Sequence, residues 1–185
     1  MRTERLRALD TTRRWRRDIG GVAAIEFALI MPALVFLYLG SVDLTTGWTI
    51  KRKVSHSVSA MSDLVTRINT LTKSDLDDIF KIGDATMTPR AAALGTAKIT
   101  AIGVDGTGKA KVTWSYARNT TKDTVGTLVT LPSDLAGLKN VSLVRTSASY
   151  DYTPPGASRV IGTVKLEKQI YGQTRTGTAV ACTDC

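Results

Sequence analysis

Residues 20–42 read GGVAAIEFALIMPALVFLYLGSV, and the rest of the chain is organised around them. From Val22 to Val42 the run is apolar except for Glu26, Gly40 and Ser41, with Pro32 inside it. A helix rises about 1.5 Å per residue, so about 20 such residues cross a hydrocarbon layer of about 30 Å. The pattern therefore predicts a membrane-spanning helix over residues 22–42. A carboxylate at mid-membrane costs about 2.5–3.5 kcal/mol, so Glu26 calls for a partner or a place near the interface.

Working backwards from Val22, residues 1–21 hold seven arginines against Glu4, Asp10 and Asp18, which accounts for +4 of the formal net charge of +9. Basic residues beside an apolar span favour the cytoplasmic side, so residues 1–21 read as an inside leader and everything after Val42 as outside. Gly20-Gly21 closes that leader, and Glu26 falls at the fifth place counted from Val22. A basic leader ending in Gly, then an apolar helix with Glu fifth, resembles a type IV prepilin processing site. Within that class, GVAAIEFALIMPALVFLYLG is similar to the TadE family of the Tad (Flp) pilus system, with its small-residue opening, Glu-Phe-Ala and a following Pro. SASYDYTPPG and YGQTRTG are more loosely similar to the carboxyl-terminal half of such proteins.

The resemblance implies a minor pseudopilin, a structural and assembly component that carries no catalysis and no cofactor. It implies cleavage between Gly21 and Val22 by a prepilin peptidase, then residence in the bacterial inner membrane and incorporation into a pilus. The implied partners are that peptidase, other major and minor pilins, the assembly platform and inner membrane lipid. On this reading the cut creates a positive amine at Val22, and Glu26 of one subunit neutralises the amine of a neighbour when helices bundle. The competing reading is a single-pass anchored exterior binding or sensor protein whose leader is never removed. Arg13-Arg14 and Arg16-Arg17 also raise a twin-arginine export signal. That signal needs a short apolar core and a small-x-small cleavage site, whereas this core holds Glu26 and ends in LYLGSVDL.

With 185 residues and 43% hydrophobic content there is room for one span and one small domain. Positive charge outside the leader is spread thinly, which argues against nucleic acid as a partner. The two cysteines, Cys182 and Cys185, are three apart; a disulfide, free thiols and a metal half-site are all open to such a pair, and an exterior location favours the disulfide.

Beyond the span, Ile50, Val54, Val58, Met61, Leu64, Val65 and Ile68 recur at spacings of three and four with charged residues between them. This stripe predicts that the helix continues outside the membrane over residues 43–68, for a total of about 70 Å. Pro32, Gly40 and Gly47 permit bending, and Tyr38 and Trp48 suit the outer interface. TKSDLDDIFKIG predicts a second helix capped by Ser74, with Asp77 three residues on and Gly83 at its end. After a linker from Pro89, strands are predicted at 98–104 and 110–116 joined through DGTGK, then at 141–152 and 160–171, with one helical turn at LPSDLAGL. Residues 69–185 thus form an exterior α+β domain in which the long helix covers a small antiparallel sheet, the layout of pilin-like subunits.

Candidate chemistry is sparse. Gly103 to Lys109 fits a phosphate-binding G-x-x-x-x-G-K spacing, but Ala110 stands where Ser or Thr must hold magnesium, and AKVTWSYA is strand-like where a helix is needed. His56 is the sole histidine and shows no nucleophile or acid beside it. Asp75, Asp77 and Asp78 could hold metal, although a negatively charged first helical turn explains such a cluster as well.

Overall fold

The computed structural model describes residues 20–89, 93–156, 158–175 and 178–185. Residues 1–19 of the basic leader, with its paired arginines, and residues 90–92 of the linker expected from Pro89 lie outside the described residues, while Gly20 and Gly21 of the leader form the first turn of the long helix.

One helix, α1 (Gly20–Arg67), carries both the apolar run and the stripe, and it passes Pro32 without a break. The chain divides into two compact units, one through Leu44 and one from Thr45 to Cys185, so the second unit takes in the later part of α1. There Ile50, Val54, Val58, Met61 and Val65 are all buried, the outcome their spacing predicts. Leu64 is partly buried against the same cluster, whereas Ile68 lies past the helix end and is exposed.

Helix α2 (Lys73–Ala85) starts two residues earlier than its composition indicated. Thr72 is its cap: the Thr72 hydroxyl accepts from the Asp75 amide at 3.2 Å, and the Thr72 amide donates to Asp75 Oδ2 at 2.8 Å. Thr72 and Asp75 form the reciprocal box expected of Ser74 and Asp77, because both pairs share the same three-residue spacing. Gly83 does not end the helix. It is buried inside it, and a Cβ there would sit 2.7 Å from Met61 Sδ, so its role is to let α2 approach α1. Ser57 of α1 donates to the Gly83 carbonyl at 2.9 Å across the same contact.

The sheet contains β2 (Thr96–Val104), β3 (Ala110–Arg118), β4 (Val141–Tyr152) and β5 (Val164–Gln173), antiparallel throughout in the order β3-β2-β4-β5. Together with α1 it gives an α+β architecture. Alternate residues face opposite sides of a strand, so Ala97, Ile99 and Ala101 join Val144 and Ala148 in the cluster that receives the α1 stripe. A second cluster, Ile102, Val104, Ala110 and Leu143, sits at the β2–β3 hairpin end and is covered by Val129, Leu131, Leu135 and Leu138. The expected turn at LPSDLAGL is a 3-10 turn, Ser133–Leu135.

The last long strand begins at Val164 rather than Val160. Ser158–Ile161 forms a short helix, α3, and Gly162 closes it at φ +71° with its amide on the Ser158 carbonyl at 3.0 Å. Such a left-handed glycine ends a helical turn and resets the chain direction.

One small element had no advance signal. β1 (Thr70–Leu71) pairs in parallel with β6 (Ala181–Cys182), and Trp114 Nε1 donates to the Val180 carbonyl at 2.7 Å, which pins the tail to the core. Two-residue strands have no periodicity to read.

Candidate functional site

The site is built on the first half of α1. All residues from Gly21 to Val42 are exposed, and the exposure is distributed around the helix: Leu29 75%, Phe36 76%, Leu37 71% and Val22 53%. Apolar helices are buried somewhere, and one that is apolar all round belongs in lipid or in a bundle. This helix fits a single-pass membrane anchor by length and composition.

Within that surface, Val22 and Glu26 are one helical turn apart, a separation that places them on the same face with a rise of about 6 Å. Glu26 is exposed, and among the described residues no cation pairs with it. Among the described residues, a Cβ added to Gly21 would meet nothing within 4 Å. Further along, Trp48 is exposed and holds Lys51 Nζ 6.0 Å from its ring, an aromatic and cationic pairing suited to a membrane surface.

The apolar span, the acid one turn in and the buried stripe behind them are the features that a family comparison tests. Residues 21–60 match the family described as TadE-like protein. No curated protein and no solved structure matches the chain. The TadE-like segment takes in Gly21, Val22, Glu26 and the first three core positions of the stripe, Ile50, Val54 and Val58; residues 61–185 lie outside the match. The match covers 40 of the 185 residues, so what it shows is a TadE-like segment.

The other candidates occupy ordinary structural places. Gly103 to Lys109 closes β2 and forms the hairpin turn into β3, where Asp105 Oδ1 accepts from the Thr107 amide at 2.8 Å and the Lys109 amide at 3.0 Å. His56 is exposed on α1. The three acids are engaged separately: Asp75 in the cap, Asp77 as acceptor of the Tyr116 hydroxyl at 2.9 Å, and Asp78 with Lys81 at 2.7 Å. Cys182 and Cys185 are bonded to each other, and Asp184 beside them accepts from the Lys73 amide at 2.8 Å.

Sequence reading missed two charged constellations because their members lie far apart in the chain. Arg118 grips Asp84 with both nitrogens, at 2.7 and 2.8 Å, in the fork geometry that suits guanidinium and carboxylate. Asp123 accepts from Lys98 Nζ at 2.9 Å, Arg145 Nη2 at 2.6 Å and Thr100 Oγ1 at 2.6 Å. Burial pushes the Asp123 carboxyl up, but Thr100, Lys98 and Arg145 together outweigh it and bring its pKa from 3.8 to about 2. A depressed carboxylate stabilises the fold above its unfolded pKa and loses that contribution as pH falls through the folded value. Urea midpoints of the wild type and Asp123→Asn should therefore differ above pH ~4 and converge on acidification towards pH ~2. A gap unchanged over that range would show that this carboxylate contributes nothing through its charge.

Proposed function

We propose that this chain is a minor pseudopilin of a Tad (Flp) pilus. It is made as a precursor and cut between Gly21 and Val22 by a prepilin peptidase. The helix over 22–42 then holds it in the inner membrane, amino terminus cytoplasmic and later residues periplasmic, until it joins major and minor pilins on the assembly platform. It is a substrate and a structural part, with no catalysis of its own.

The observation that carries this reading is an anchor helix exposed on every side that keeps an acid one turn past Gly21-Val22, inside the TadE-like match. Processing supplies what that acid lacks. A new amine at Val22 of one subunit and Glu26 of its neighbour are each costly alone in hydrocarbon, and together they offset that cost while fixing the register between helices.

Glu26→Leu tests the pairing. Insertion should be preserved, since the span becomes more apolar, while assembled pili fall about tenfold, the effect of losing about 1.4 kcal/mol at one contact. Wild-type piliation in the native host would remove the charge-pairing argument. Amino-terminal sequencing of the membrane-resident protein separates the pseudopilin from an anchored exterior sensor, because a start at Val22 fits only the former.

A further inference from the structure

Contacts with α1 fix which end of the sheet lies where that helix enters the unit. A Cβ on Gly172, in the Val144 row, would lie 2.8 Å from Ser62 Oγ, and one on Gly47 would lie 3.1 Å from the Tyr152 ring. β4 therefore runs from the level of Ser62 back to that of Gly47, and the connection after Tyr152 emerges beside the entering helix. Pro155 of that connection lines one cleft with Thr46 and Ile50 of α1. The Thr153 and Thr163 hydroxyls, bonded at 2.9 Å, close its base.

Two groups of side chains at this end face away from the protein. The β4–β5 connection and the start of β5 leave Ile161 61% and Val164 37% exposed, with Arg159 exposed on the same short helix as Ile161. On α1, Trp48, Lys51 and Arg52 share one face by their spacing, and all three are exposed. None of the three cations forms an ion pair among the described residues. Trp48 and Lys51 follow Val42 by six and nine residues of one unbroken helix, a rise of about 9 and 14 Å. An indole belongs at head-group level, and long basic side chains reach back to a surface while their stems cover apolar groups.

We propose that this end of the sheet unit rests on the lipid surface from which α1 emerges. Ile161 and Val164 enter the head-group layer, and Lys51, Arg52 and Arg159 hold the phosphates of anionic phospholipids. Continuity with the anchor and the sign of the charge both name lipid as the occupant. The inference rests on the anchor reading of residues 22–42, and not on cleavage or on assembly into a pilus.

The test places a tryptophan reporter in the full chain, reconstituted in phosphatidylcholine vesicles with or without phosphatidylglycerol. Trp15→Phe and Trp48→Phe leave buried Trp114 as a constant signal. Ile161→Trp then reports on the proposed contact, and Leu128→Trp is the control. Leu128 is equally exposed but bridges Lys111 near the Val141 end of β4, about 35 Å along the strand from Tyr152. A nitroxide on the lipid head group should quench the reporter at 161 and spare that at 128. Phosphatidylglycerol should raise the quenching at 161 about twofold, and Lys51→Glu with Arg52→Glu should remove that rise, with circular dichroism unchanged. Protein that fails to float with the vesicles would sink the anchor reading and this inference with it. Floating protein whose reporter at 161 is quenched no more than that at 128 would overturn this inference alone. A reporter at 161 shielded from aqueous iodide yet silent to the nitroxide would put a protein partner there, which also overturns it. Quenching indifferent to phosphatidylglycerol and to the charge reversal would overturn the role given to the cations.

Discussion

Gly21→Phe should leave the precursor uncut in its native host. Among the described residues, nothing lies within 4 Å of a Cβ at Gly21, and a side chain there extends from an exposed helical turn. Folding and insertion are therefore preserved, and what changes is the fit of the bond before Val22 in a peptidase. A misfit of about 1.4 kcal/mol in the transition state lowers the cleavage rate about tenfold, and a ring in place of a hydrogen supplies at least that. Immunoblots should show the mature band replaced by one of precursor size, whereas Gly21→Ala retains most processing. A mature band of undiminished intensity in the Phe variant would end the assignment of the cut.

Phe80→Ala should be the most damaging single change in the sheet unit. Phe80 is fully buried on α2, stacks on Tyr116 with ring centroids 5.8 Å apart, and lies under the Arg118 guanidinium at 5.3 Å. Removing a buried aromatic costs about 3–5 kcal/mol, a large share of the 5–15 kcal/mol that holds a typical domain together. It also removes the platform beneath the Arg118–Asp84 fork, so loss of packing and loss of ion-pair geometry add. Urea unfolding of the full chain in detergent measures it. A loss below about 1 kcal/mol would mean that the site collapses around the gap and that α2 is not the keystone its burial indicates.

What could be read in advance divides by the range of the interaction. The span, the stripe from Ile50 to Val65 and strand β4 were legible because each is a periodic signal longer than its own noise. The cap of α2 was legible in kind but displaced by two residues, since T-x-x-D and S-x-x-D overlap in TKSDLD and nearby composition does not choose between them. Gly83 was misread as a terminus because a glycine required by close packing and one required by a left-handed turn look the same in sequence. The Asp123 cluster and the β1–β6 pairing were invisible, as both depend on partners brought together only by the completed sheet. At the candidate site, Gly21, Val22 and Glu26 lie within about one helical turn, so the proposal that joins them draws on no long-range contact.

The division of α1 between two surroundings bears on where the protein can be shortened for solution work. Its later half supplies Ile50, Val54, Val58, Met61 and Val65 to the interior of the sheet unit. Trimming at the helix end near Arg67 would therefore strip the sheet of its covering layer and leave a sticky, unfoldable remnant. A water-soluble fragment has to begin at about Thr45, where the second compact unit begins, and so must keep about six turns of what looks at first sight like a membrane stalk.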